Sequence, residues 1–147
     1  MESLANLLDQ KFPQFNTVTP EHALKDALHQ MCFEKLDYLV VLSGADFVGI
    51  LSENDVTQKL FPNSQPLESL KVKDIMNRSI PVGNSNDSID YAMHLLYQYR
   101  SRYIAVFDEF EFKGIISEND LLKKAIEMNS MYLESTAPHK ETYHWSY

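Results

Sequence analysis

The tetrapeptide Ser52-Glu53-Asn54-Asp55 returns as Ser117-Glu118-Asn119-Asp120, and these two phrases hold the polar groups best spaced for chemistry in this 147-residue chain. Paired carboxylates can do acid–base work on a substrate. A serine followed three residues later by an acidic side chain also forms a capping box. Its hydroxyl accepts the amide of the third helical residue, and the carboxylate reaches back to the cap amide. Both aspartates fall inside that phrase, so no separate acid–base pair remains. The chain has no nucleophile elbow, no Walker A loop and no metal-ligand spacing, and its four glycines do not form a phosphate cradle. The expectation is a protein that is not an enzyme. Glu53 and Asp55 complement the positive end of a helix dipole. Two carboxylates in one first turn also repel an anion, so a phosphate bound there needs basic help.

The phrases are the ends of longer ones. GILSEND runs from Gly49 to Asp55 and GIISEND from Gly114 to Asp120, 65 residues further on. At that offset Ala27 falls on Ala92, His29 on His94, Tyr38 on Tyr103, Val41 on Val106, Phe47 on Phe112 and Lys59 on Lys124. Glu21 to Leu60 gives twelve identities without a gap, where composition alone would give roughly two or three. The chain reads as two copies of one unit.

Each copy must position its phrase at the start of a helix. Leu24, Ala27, Leu28 and Met31 follow helical spacing, with a start near Pro20 and Glu21. Tyr38 to Leu42 and Phe47 to Leu51 are short apolar runs joined by SGAD, a hairpin pattern, and SEND then opens a helix over Val56 to Leu60. The second copy repeats this through Ile89, Ala92, Met93 and Leu96, then YIAVF and FKGII, then a helix from Glu118 to about Met128. A short extended piece precedes each first helix, at FNTVT and SIPV. The unit is β-α-β-β-α in an α+β fold. One such sheet is covered on a single side, so the two copies are expected to pack sheet to sheet.

Composition bounds the function. Hydrophobic residues make up 44% of the chain and aromatics 12%, as in a globular protein. A net charge of −8 without a basic cluster argues against nucleic acid and anionic membranes as partners. No apolar run spans a membrane and no signal peptide is apparent, which predicts a cytoplasmic protein. Cys32, the single cysteine, reads as a small core residue on an apolar helical face. His29 and His94 read as surface or boundary residues, and Tyr38 and Tyr103 as leading their strands into the core.

The doubled G-h-h-S-x-x-D phrase (h, apolar), the β-α-β-β-α order and the linker-like LKVKDIMNRSIPV resemble the CBS domain family, over about residues 12 to 130. The resemblance implies CBS domains at 12–65 and 72–130, followed by an aromatic C-terminal tail at 131–147. It implies a regulatory module, often called a Bateman module, whose clefts bind adenosine-containing ligands such as AMP, ADP, ATP, S-adenosylmethionine or NAD. Carried onto this sequence, Asp55 and Asp120 would accept ribose hydroxyls, with Ser52 and Ser117 near ribose or phosphate. Backbone near Thr17 and Val18, and near Ile80, Pro81 and Val82, would face the base. Arg102 stands where nucleotide-binding members often place a basic residue against phosphate; its counterpart Asp37 makes the clefts unequal. The resemblance also implies a homodimer and an unknown effector protein as the output. The alternative is a scaffold that uses the pair only for dimerisation or protein contact, with both SEND phrases acting purely as caps.

Overall fold

The computed structural model describes residues 2–11, 15–62 and 65–136, and the backbone alone for residues 130–136. The chain runs α1 (Leu4–Asp9), β1 (Thr17–Val18), α2 (Leu24–Glu34), β2 (Tyr38–Ser43), β3 (Asp46–Ser52) and α3 (Glu53–Lys59). A 3-10 turn at Leu67–Ser69 leads to α4 (Val72–Ile75), β4 (Val82–Asn84), α5 (Ile89–Tyr99), β5 (Tyr103–Asp108), β6 (Glu111–Ser117) and α6 (Glu118–Thr136).

The two copies fold alike. Each sheet has three strands, in the orders β1-β2-β3 and β4-β5-β6, with the first pair parallel and the second a hairpin. The hairpin registers slip at matching places, between Val41 and Leu42 and between Val106 and Phe107. Helices α2 and α5 both end on a left-handed residue, Lys35 (φ 55°) and Arg100 (φ 49°), whose amides bond back to the last turn. Strand alternation sorts the side chains. Leu39, Val41 and Leu51 face the α2 side, and Ile104, Val106 and Ile116 face the α5 side. Val40, Ile50, Ala105 and Ile115 point the other way and meet, with Ile80, in a shared core between the sheets.

Face-to-face sheet packing is therefore as expected from sequence. Phe47 stacks on its counterpart Phe112 with ring centroids 4.5 Å apart, and Tyr38 meets Tyr103 at 5.0 Å. A pair of equivalent residues in mutual contact lies on the axis relating the copies, so these two pairs mark an approximate two-fold axis.

Helices α1 and α4 are exchanged between the units. Leu4, Leu7 and Leu8 of α1 are buried in the second copy's core, while Val72 and Ile75 of α4 are buried in the first copy's. The attachments match bond for bond. The Leu4 amide donates to Asp87 O as the Val72 amide does to His22 O, and the Ala5 amide donates to Ser85 O as the Lys73 amide does to Pro20 O. Counterpart lysines brace the exchange. Lys59 donates to the carbonyls of Ile75 and Met76 at the end of α4, and Lys124 pairs with Glu2, just before α1, at 2.9 Å. The folded units therefore cross the contiguous spans 12–65 and 72–130: α1 precedes the first span and packs in the second unit, and α4 lies in the second span and packs in the first.

Several local expectations change. Strand β4 begins only at Val82, the last residue of SIPV, because the residues before it turn into the shared core through Ile80. The last helix continues past Met128 to Thr136, and the tail sequence APHKETYHWSY lies outside the described residues. Cys32 is exposed, not a core residue. The buried stripe of α2 is Leu24, Ala27 and Met31, and Cys32 lies one step round the helix. His29 and His94 are exposed as expected, with His29 stacked near Phe33.

Candidate functional site

Each SEND phrase sits where an edge strand turns into a helix, and both form the predicted caps. In the first copy Ser52 Oγ accepts the Asp55 amide at 3.2 Å, and Asp55 Oδ2 accepts the Ser52 amide at 3.2 Å and the Ser52 hydroxyl at 2.7 Å. Asp55 Oδ1 lies 3.6 Å from Lys59 Nζ, and the residue is only 7% exposed. In the second copy the Asp120 amide donates to Ser117 Oγ at 3.0 Å and the Ser117 amide to Asp120 Oδ2 at 2.9 Å. The Asp120 side chain remains 21% exposed.

The glycine that opens each phrase has a steric reason. A Cβ on Gly49 would lie 2.5 Å from the Asn77 carbonyl oxygen, because the segment after α4 crosses there and exchanges two hydrogen bonds with Ile50. A Cβ on Gly114 would meet the Leu8 side chain of α1 at 3.0 Å. The exchanged segments thus lie across the signature of the opposite copy, and they decide what approaches each aspartate.

At Asp120 that approach brings a cation which the sequence reading did not single out. Lys11 Nζ lies 2.8 Å from Asp120 Oδ2 and donates also to Ile115 O at 2.8 Å and to the Tyr38 hydroxyl at 3.1 Å. Burial would lower the Lys11 pKa, but the neighbouring Tyr38 and Asp120 more than offset it and hold it above the usual lysine value. Burial first, partly offset by Lys11, raises the Tyr38 phenol. Tyr103 is pushed up to about 12, by burial and then by Asp37. No sequence signal marked Lys11, since its partners are 27, 104 and 109 positions away.

Beside this cluster a cavity of about 370 Å³ opens at the tyrosine end of the two-fold axis. Asp37, Tyr38, Glu53 and Asn54 line it from the first copy, and Arg102, Tyr103, Ser117, Glu118 and Asn119 from the second. Arg102 and Ser117 are thus brought together, with Tyr38 linking them to Lys11 and Asp120. Ser52 and Asp55 do not line this cavity, and neither do Lys11 and Asp120, which adjoin it through Tyr38 and Ser117. Thr17 is exposed and Val18 is buried in the first core, both paired into β1 against β2. Ile80 is buried between the sheets, the Pro81 carbonyl is taken by the Ala105 amide, and Val82 is exposed. Among the described residues no cluster of histidine, cysteine and carboxylate side chains forms a metal site. No described helix is long and apolar enough to cross a membrane.

Two α+β units joined through their sheets, with exchanged leading helices and a capped helix start beside the axis, have the fold of paired CBS domains. Residues 72–127 match the CBS domain family model, and the chain has the tandem CBS fold. An uncharacterised protein of Methanocaldococcus jannaschii is 26% identical over 87 residues, which is 59% of this chain but only 47% of that protein, so the match spans about half that relative's length. The crystal structure of the CBS domain NE2398 is 29% identical, with TM-score 0.78 over 86% of this chain and 99% of that one. The crystal structure of CBSX2 in complex with AMP is 21% identical, with TM-score 0.70 over 88% of this chain and 99% of that one. These matches indicate no enzymatic family.

Proposed function

We propose that the chain is a non-catalytic regulatory module that binds an adenosine-containing ligand at the Asp120 side of the inter-repeat cavity and signals to a separate effector protein. The observation that carries this reading is the asymmetry of the aspartates. Asp55 is buried and its cap bonds enclose it, whereas Asp120 is partly exposed beside a cavity holding Ser117 and Arg102. The AMP held by CBSX2, a protein of this fold, supports the ligand class. Ribose hydroxyls would bond Asp120, and a phosphate would take Arg102. Thr17, Val18, Ile80, Pro81 and Val82 do not line that cavity and would serve as framework. Asp37, Glu53 and Glu118 oppose phosphates beyond the first in the same cavity, so AMP should bind at least as well as ATP without magnesium. ADP, S-adenosylmethionine and NAD share the adenosine group and belong in the same trial. Calorimetric titration with this panel tests the proposal: binding lost in Asp120→Ala but kept in Asp55→Ala supports it, and equal loss in both refutes it.

A homodimer acting in the cytoplasm completes this reading. Matching grooves run between α2 and α3 and between α5 and α6, and Leu28, Met31 and Val56 in one correspond to Met93, Leu96 and Leu121 in the other. Phe33 and Tyr97 stand exposed nearby on these helices. Two such faces on one chain suit isologous pairing with a second copy. A scaffold without ligand remains the second reading, because internal bonds already occupy both aspartates.

A further inference from the structure

The Asp120 corner carries a lysine that the first copy does not reproduce. There the Ile50 carbonyl, counterpart of Ile115, is taken by the Asn77 backbone amide at 2.8 Å, and Asp55 is approached by Lys59 of its own helix. In the second copy Lys11 arrives from the segment after α1 and takes both roles, bonding Ile115 O and Asp120 together. An ammonium has three protons. All three have partners: Ile115 O, Asp120 Oδ2 and the Tyr38 hydroxyl. Lys11 is therefore an internal occupant of the aspartate, and its side chain is only 17% exposed.

We infer that Lys11 is a specificity-determining residue that makes the Asp120 site select anionic over neutral adenosine ligands. This inference rests on the nucleotide reading above. A ligand hydroxyl that draws Asp120 away leaves the ammonium short of a charged partner in a half-buried corner, which disfavours a neutral ligand. A phosphate restores that partner. The geometry supports the exchange, because Lys11 is bonded to Tyr38, and Tyr38 lines the same cavity as Arg102 and Ser117. A phosphate there meets Arg102 and, once Lys11 turns from Asp120 towards the cavity, a second cation. The carboxylate passes from lysine to ribose while the lysine passes from carboxylate to phosphate, and the number of charge-assisted bonds is kept. A neutral nucleoside completes only half of this exchange.

The test is calorimetric titration of wild type, Lys11→Met and Lys11→Arg with adenosine and with AMP, without magnesium. A charge-assisted hydrogen bond corresponds to about tenfold or more in affinity. Wild type should prefer AMP by at least that factor. In Lys11→Met the preference should shrink about tenfold, because AMP binds more weakly and adenosine more tightly, while Lys11→Arg should retain it. If the methionine variant does not fold, Lys11→Gln removes the charge with similar reach and is read in the same way. An AMP-to-adenosine ratio unchanged by loss of the charge overturns the role of Lys11 and leaves nucleotide binding standing. No binding of either ligand to any of these proteins overturns both.

Discussion

Replacing Asp55 with alanine should cost the protein much of its margin of stability without touching the proposed ligand site. The carboxylate accepts the Ser52 amide and the Ser52 hydroxyl, the latter at 2.7 Å, in a residue 7% exposed. A lost helix cap costs about 0.5–2 kcal/mol. A short hydrogen bond to a charged acceptor contributes about 1.5–3 kcal/mol. Lys59 loses a distant partner at 3.6 Å but keeps the Ile75 and Met76 carbonyls, so little is added there. The expected loss is about 2–5 kcal/mol, or roughly 8–20 °C in Tm at about 4 °C per kcal/mol for a domain of this size. Urea unfolding followed by circular dichroism measures it directly. Ser52→Ala and the double variant complete a cycle whose coupling should exceed about 1 kcal/mol, because the two side chains bond each other. A loss below about 1 kcal/mol in Asp55→Ala, or additive single variants, would refute the view that this aspartate is a structural cap.

Gly49→Ala drives a methyl into the Asn77 carbonyl at 2.5 Å, and the crossing segment can yield only by straining its paired bonds with Ile50. A loss of about 1–3 kcal/mol is expected from denaturant midpoints. Glu109 has φ 57° in the hairpin turn where the first copy places Gly44 at φ 63°. Glu109→Gly should therefore gain about 0.5–1 kcal/mol despite glycine's freer unfolded state, and a loss would contradict the strain argument. Tyr103 stays neutral in the fold up to about 12, whereas an unfolded tyrosine ionises near ~10. Its raised value therefore contributes stability that is fully present below pH ~10 and is lost as pH rises towards 12, a loss that Tyr103→Phe should reduce in melting curves across that window. Light scattering at micromolar concentration should give a dimer, and Tyr97→Glu should shift it towards monomer; a wild-type monomer throughout would exclude the helical faces as an interface.

The fold was legible because duplication doubled every local signal. The hairpins, the caps and the sheet-to-sheet core around Val40, Ile50, Ala105 and Ile115 all follow from period-two alternation and a repeated phrase. The exchange of α1 and α4 was not legible. Leu4, Leu7 and Leu8 show a helical spacing, but nothing local says that their partners include Ile104, Val106 and Leu121, about a hundred positions away. Lys11 was missed for the same reason, and Cys32 was misplaced because a helix of apolar character does not announce which of two adjacent residues turns inward. For the site, sequence gave equal weight to Asp55 and Asp120. Only the crossing segments, which belong to the opposite copy, make them different.

The exchange of leading helices also sets an order of events on the ribosome. Helix α1 is made well before the backbone that holds it, at Ser85 and Asp87, and before the leucine and isoleucine partners beyond it. At about 5–20 residues per second, α1 waits roughly 5–20 seconds for those partners. During that interval a six-residue helix with three leucines has no core to enter, and a helix so short is unstable alone. The first copy must likewise wait for α4 to cover Leu39, Val41 and Leu51. Synthesis therefore delivers neither copy as a finished half, and the second core closes only when α1 is drawn into it.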